Sequence, residues 1–184
     1  MTLRVLFIGG SGLISSACCR LGVQRGLDLY ALNRGATQLR PLPSEVTILH
    51  GNIRDQASVR EALGDHEFDV VVDWVAFTPD HVEADLELFR DRIDQYIFIS
   101  SASAYQTPPS RQPVTESTPL RNPYWQYSRD KIACEDRLVR AYRGRLPGSD
   151  RQAVTHLRPH LGTVPRRLDI GGAHEAGKGS HRAG

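Results

Sequence analysis

Short apolar runs alternate with amphipathic stretches along most of the chain. Arg4 to Ile8 is a compact apolar run, the pattern of a buried strand. It leads directly into Gly9-Gly10-Ser11-Gly12-Leu13-Ile14-Ser15. A helix is predicted next, with Ile14, Ala17, Cys18 and Leu21 on its inner face and a stop near Gly26. Leu27 to Asn33 reads as a second strand and Val46 to Leu49 as a third. Val59, Ala62 and Leu63 mark one face of a helix that Asp55 can cap. Phe68 to Trp74 is a continuous β-branched run, as expected at the middle of a parallel sheet. Thr78-Pro79 opens a helix with Val82, Leu86 and Phe89 on one side. Tyr96 to Ser100 is a fifth strand, and a last helix lies within Tyr124 to Tyr142. This alternation predicts an α/β fold, a doubly wound parallel sheet with right-handed crossovers.

The chain has 184 residues, 40% of them hydrophobic, which suits one globular domain with a sizeable core. A net charge of +2 gives no electrostatic case for nucleic acid or a membrane surface. Three cysteines, two of them adjacent, form neither a disulfide framework nor a zinc spacing, so no metal is expected. The apolar run at the N-terminus is too short for a signal peptide or a membrane span. A cytoplasmic protein is expected.

Strand, glycine turn and helix in succession give the glycines chemical meaning. Gly9 and Gly12 permit a tight turn and close approach of backbone to a pyrophosphate. The helix start then offers free N–H groups to that anion. The bland alternative is an ordinary strand–helix turn. No acid stands at the end of the second strand to hold the ribose of NAD; Arg34 is there instead. Arginine suits a 2′-phosphate, so NADP is favoured slightly over NAD, unless Arg34 is simply a solvated loop residue. Ser101 and Ser103 follow the fifth strand, where open α/β sheets bind ligand, although serines there also make turns. Gln106 to Asn122, rich in Pro, Ser and Thr, reads as a loop that can act as a lid.

Tyr127 and Lys131 lie four residues apart, so a helix puts both on one face. Free tyrosine titrates near ~10, and a nearby cation favours the ionised phenol that acid/base work needs. The pair alone recurs by chance in helices, and its weight comes from the elements around it.

Five motifs occur in a family's order and spacing over residues 1 to 143: G-G-S-G-L-I-S at 9–15, G-N-I-R-D at 51–55, F-I-S-S-A-S-A-Y at 98–105, V-T-E-S-T-P-L at 114–120 and Y-S-R-D-K at 127–131. Together they resemble the extended short-chain dehydrogenase/reductase family, the NAD(P)-dependent sugar epimerases and dehydratases. The resemblance implies a Rossmann-like domain followed by a smaller substrate domain. It implies that Tyr127 is the acid/base and that Lys131 eases its deprotonation and holds the nicotinamide ribose. Ser101 would hydrogen-bond the substrate oxygen, with Ser103 as the alternative. Gly9, Gly12, Leu13, Ile14, Arg34, Asn52, Ile53, Val75 and Ala76 would join Lys131 around the NAD or NADP. The substrate would be a nucleotide sugar or another small carbonyl or hydroxyl compound, and family dimers often pair the tyrosine helix. Three departures stand out: Ser15 for the third glycine, Asn52 for the usual acid, and a bulky Val75-Ala76-Phe77 where small residues are common. The third is expected to narrow the nicotinamide pocket. A non-catalytic NAD(P)-binding module, such as a redox sensor or an RNA-associated relative, is the rival reading.

Beyond Arg143 the character changes: Gly144 to Gly184 holds no aromatic residue and no long apolar run. A one-base shift over residues 145–157 can encode G-F-P-V-A-I-V-R-P-S-H-T, the strand and Arg-Pro that the family carries there. Residues 144–184 are therefore expected to be an out-of-frame or disordered, irregular tail, with the substrate domain missing, the sheet incomplete at its C-terminal side, and the chain itself weakly active or inactive. The coding DNA around Gly144 decides this. The fragment Val154 to Pro159 alone reads as a sixth strand.

Overall fold

The structure is a computed structural model that describes residues 2–35 and 40–144, together with the backbone of Ala153–Leu157. Six parallel strands form one sheet in the order β3-β2-β1-β4-β5-β6. They are β1 (Arg4–Ile8), β2 (Asp28–Asn33), β3 (Thr47–His50), β4 (Phe68–Asp73), β5 (Ile93–Ile99) and β6 (Ala153–Leu157). Four helices accompany them: α1 (Leu13–Gln24), α2 (Gln56–Leu63), α3 (Pro79–Leu88) and α4 (Gln126–Arg143). This is the Rossmann-like doubly wound sheet. Strand order reverses beside β1, which pairs with β2 on one side and with β4 on the other. In such sheets the crevice at the reversal is where ligands bind.

The core divides across the sheet. On one face Leu6, Ile8, Val71, Tyr96 and Phe98 pack with Val59 and Leu63 of α2, Val82 of α3, and Cys134 and Leu138 of α4. On the other face Phe7, Ala31 and Val72 pack with Cys19 of α1. α2 begins as expected, with the Asp55 carboxylate accepting from the N–H groups of Ala57 and Ser58. Thr78 caps α3 with Pro79 at its start, and a Glu83–Arg137 ion pair ties α3 to α4.

Two expectations need correction. α1 buries Ser15, Ser16, Cys19 and Gly22, not the face carrying Ile14, Ala17 and Leu21. The helix lies so close to the sheet that a Cβ on Gly22 would stand 3.3 Å from Leu29. Only small residues fit that contact, so hydrophobic periodicity pointed to the wrong side. The second concerns the edge of β5, expected to be open. β6 pairs with it in parallel, from Gln95↔Ala153 to Ile99↔Leu157. That strand lies inside the stretch read as an irregular tail; residues 145–152 and 158–184 lie outside the described residues. The Gln106–Asn122 stretch is anchored at both ends, Gln106 N donating to Pro119 O and Arg121 N to Ala104 O.

Candidate active site

β1 ends in Gly9, whose φ of +85° lies in the left-handed region. A Cβ on Gly9 would stand 2.5 Å from Val75 Cγ1. Backbone conformation and close approach both demand glycine here. Ser15, in place of a third glycine, donates from its hydroxyl to the Gly9 carbonyl at 2.7 Å. The serine thus braces the turn that a glycine would only have accommodated. Gly12 caps α1 without any side-chain hydrogen bond, leaving the helix-start N–H groups for a ligand.

This turn floors a cavity of about 420 Å³ between the ends of β1, β2 and β4. Of the residues expected around a dinucleotide, Gly9, Gly12, Arg34, Asn52, Ile53 and Val75 line it, and Arg54, Phe77 and His81 join them. Leu13 and Ile14 do not contribute side chains to the wall. They are 73% and 55% exposed at the start of α1, where only their backbone can serve a ligand. Asn52 is committed on one side: its Oδ1 accepts from Arg54 N at 3.1 Å. Replacing Gly9 with alanine should cost about 1–3 kcal/mol through the strained φ and weaken dinucleotide binding at least tenfold. Gly12→Ala should be milder, because its φ is ordinary and its Cβ meets the Ser15 hydroxyl at 3.0 Å and the Gly9 carbonyl at an unstrained 3.7 Å. Thermal melts and ligand titration of both variants check this; equal behaviour would contradict it.

A second cluster gathers beyond Phe77. Lys131 is 2% exposed, and its Nζ donates to Ala76 O at 2.7 Å and Ile99 O at 2.8 Å. Ala76 is fully buried and takes part through that carbonyl. The ammonium lies 5.8 Å from the Tyr127 ring centroid, 5.1 Å from Phe77 and 4.4 Å from Phe98. The helix therefore does place tyrosine and lysine together. Burial lowers the Lys131 pKa from 10.5 to about 8, with Cys134, Asp73 and Glu135 opposing.

This shift has a stability consequence. Between pH ~8 and ~10.5 the unfolded chain holds a proton on Lys131 that the folded chain has released, so folding is favoured as pH rises. The penalty is fully present below pH ~8. Relative to Lys131→Met, the wild type should gain up to ~3 kcal/mol across that window. Urea denaturation at pH 7.5 and 10.5 measures it; a constant difference would contradict the buried charge.

The serines form a chain of hydrogen bonds. Asn122 Nδ2 donates to Ser128 Oγ at 3.3 Å, and Ser128 Oγ donates to Ser103 Oγ at 2.9 Å. Ser103 Oγ lies 2.9 Å from Ser101 Oγ, which also accepts from Ser103 N at 3.2 Å. Either hydroxyl can donate in that pair; with Ser103 as the donor, the Ser101 hydroxyl is left free to donate. Ser101 and Ser103 are thus successive links of one relay, with Asn122 and Ser128 behind them.

Sequence reading missed the ionic group beneath both clusters. Asp73, fully buried at the end of β4, accepts from Val75 N at 2.7 Å, Ala76 N at 2.9 Å and Tyr96 OH at 2.7 Å. Arg54 donates to both oxygens of buried Asp85, at 3.1 and 2.9 Å, and lies 3.9 Å from Asp73. Burial first, and the Asp73 charge second, push the Asp85 pKa well above the carboxylate range against the pull of Arg54. His81 accepts from Phe77 N through Nδ1 at 3.2 Å, and burial followed by Arg54 lowers its pKa. A signal existed: Asp73 ends an apolar run, and Asp85 sits one turn from Val82 on the apolar side of α3.

The sequence profile of the NAD dependent epimerase/dehydratase family matches residues 5–150. The chain belongs to that family. A UDP-glucose 4-epimerase of Lactobacillus helveticus is 29% identical over 150 residues, covering 72% of this chain and 45% of that protein. Another, from Klebsiella pneumoniae, is 29% identical over 140 residues, covering 62% of this chain and all of that protein. In fold, the crystal structure of UDP-glucose 4-epimerase from Brucella ovis in complex with NAD is similar, with a TM-score of 0.71 and 24% identity. That likeness covers 85% of this chain and 51% of the Brucella chain. This member of the epimerase/dehydratase family therefore spans about half the length of the Lactobacillus and Brucella proteins. No helix among the described residues is long and apolar enough to cross a membrane.

Proposed function

We propose that residues 1–143 form the NAD(P)-binding domain of a sugar-nucleotide epimerase/dehydratase-type oxidoreductase and carry its acid/base pair. The observation that carries this reading is the placement of Tyr127 and Lys131 together against Phe77, on the wall of the glycine-turn cavity. The residues present fit a dinucleotide. The left-handed Gly9, backed by Val75 with no room for a Cβ, leaves a flat backbone cradle beside the uncapped N–H groups of α1. When bound, the nicotinamide supplies the hydride acceptor and donor.

Tyr127 takes the proton of a substrate hydroxyl and later returns it. Lys131 stabilises the phenolate while the proton is away and binds the nearby ribose. Ser101 donates its free hydroxyl hydrogen to the substrate oxygen, and Ser103, Ser128 and Asn122 hold it in that orientation. Gly9, Gly12 and the backbone of Leu13 and Ile14 seat the diphosphate, while Asn52 and Ile53 flank the adenine. Arg34, on the cavity wall, supports NADP over NAD. The curated relatives support a UDP-sugar as substrate. The sheet of this domain also takes in β6 (Ala153–Leu157), and a cytoplasmic location fits the family.

Fluorescence titration with NADH and NADPH tests the reading. Saturable binding, tighter for NADPH and lost in Gly9→Val, is expected. Absence of binding to either nucleotide would overturn it. Conversion of UDP-glucose to its 4-epimer tests the substrate class separately.

A further inference from the structure

Phe77 stands where the two clusters meet. It lines the glycine-turn cavity, yet its ring also lies 6.3 Å from the Tyr127 ring and 5.1 Å from Lys131 Nζ. Neither Tyr127, Lys131 nor Ser101 lines that cavity. What does line it is Gly9, Gly12, Arg34, Asn52 and Ile53, the groups suited to a diphosphate, a ribose and a base. Lys131 is shut in: at 2% exposed, with two carbonyls and three rings around it, no ribose hydroxyl can reach it as the chain stands.

The backbone around Phe77 is pinned. Val75 N and Ala76 N are bonded to Asp73, Phe77 N to His81, and Ala76 O to Lys131. The ring itself is 43% exposed and free of that scaffold. A side-chain rotation, not a loop movement, is therefore what opens the way to Lys131. That rotation gives up the cation–π contact before any contact with the nicotinamide riboside replaces it.

Resting on the dinucleotide reading above, we propose that Phe77 divides the site, so that the cavity takes the ADP-ribose class of ligand without its nicotinamide. The nicotinamide riboside enters only when the Phe77 ring swings out. Selection between ADP-ribose and the full dinucleotide is then set by this one side chain. A bound fragment that never displaces Phe77 leaves Lys131 sealed, whereas a full dinucleotide must open it. Apparent affinity for the full dinucleotide is reduced by the fraction of molecules with the ring open.

Calorimetric titration of the whole chain with matched ligands tests this: ADP-ribose against NADH, and 2′-phospho-ADP-ribose against NADPH. The wild type should bind each fragment as tightly as, or more tightly than, its parent dinucleotide. Phe77→Ala should tighten the dinucleotides at least tenfold and leave the fragments within twofold, with Phe77→Leu in between. Circular-dichroism melts of both variants confirm that each is folded; the half-exposed ring makes that the expected result. Wild type binding the dinucleotides tenfold tighter than the fragments, or Phe77→Ala weakening them, would overturn the division and leave the dinucleotide reading intact. Failure of fragments and dinucleotides alike, in wild type and both variants, would overturn both.

Discussion

Arg54→Leu should remove about 3–5 kcal/mol of folding stability, a loss set by uncompensated buried charge and not by lost packing. Among the described residues, Arg54 is the one cation in an ion pair with Asp73 and Asp85, and both carboxylates are essentially inaccessible to water. It holds Asp85 through a two-point fork and reaches His81 O at 3.3 Å as well. Without it, Asp85 keeps burial and the Asp73 charge, the two influences that already push it upward. Removing the partner as well should recover much of the stability, so the double variant Arg54→Leu, Asp85→Leu is expected to be more stable than Arg54→Leu. Urea denaturation of the single and double variants at pH 7.5 measures both effects. A single-variant loss under ~1 kcal/mol would show that the fork contributes no more than an exposed ion pair. The effect should reach the site too, because Asp73 holds the Val75 and Ala76 amides, and Ala76 O holds Lys131.

In an in-frame version that carries the substrate domain, Tyr127→Phe should lower turnover by ~10²–10⁴-fold, the usual range for removing a positioned acid/base. The dissociation constant for NADH or NADPH should stay within about threefold. The substitution deletes only the hydroxyl. The ring contacts, at 6.3 Å to Phe77 and 4.8 Å to Trp125, remain available, so the helix and its lysine should not shift. A fall in turnover with unchanged ligand affinity is the signature of an interaction made in the transition state. Steady-state assay with a UDP-sugar, together with nucleotide titration, separates the two quantities. Full turnover in the variant would remove Tyr127 from the mechanism.

Much of this architecture was legible in the chain. Strands β1, β2 and β4 announced themselves because strands buried on both faces leave long apolar runs. Gly9 was legible because the left-handed turn tolerates little else. Tyr127 and Lys131 were legible because helical spacing converts directly into proximity. The inner face of α1 was not, since close packing selected Ser15, Ser16 and Gly22, which hydrophobic periodicity ignores. Nor was the Arg54–Asp85 fork, whose partners are 31 residues apart and meet only through the α3 crossover. Ser128 and Asn122 read as ordinary polar residues because a relay exists only once α4 is laid against the end of β5. Phe77 was noticed for its bulk, but its place between cavity and lysine belongs to the tertiary structure.

The central assignment is a dinucleotide lying across the β1–β4 reversal, with its ribose at Lys131 and its reactive ring before Tyr127. A crystal structure of the chain saturated with NADPH is the most direct measurement. The expected density puts the diphosphate on the N–H groups after Gly9 and Gly12, the Phe77 ring turned aside, and a ribose hydroxyl within ~3 Å of Lys131 Nζ. A diphosphate bound elsewhere, or a nicotinamide directed away from the Tyr127 hydroxyl, would contradict it.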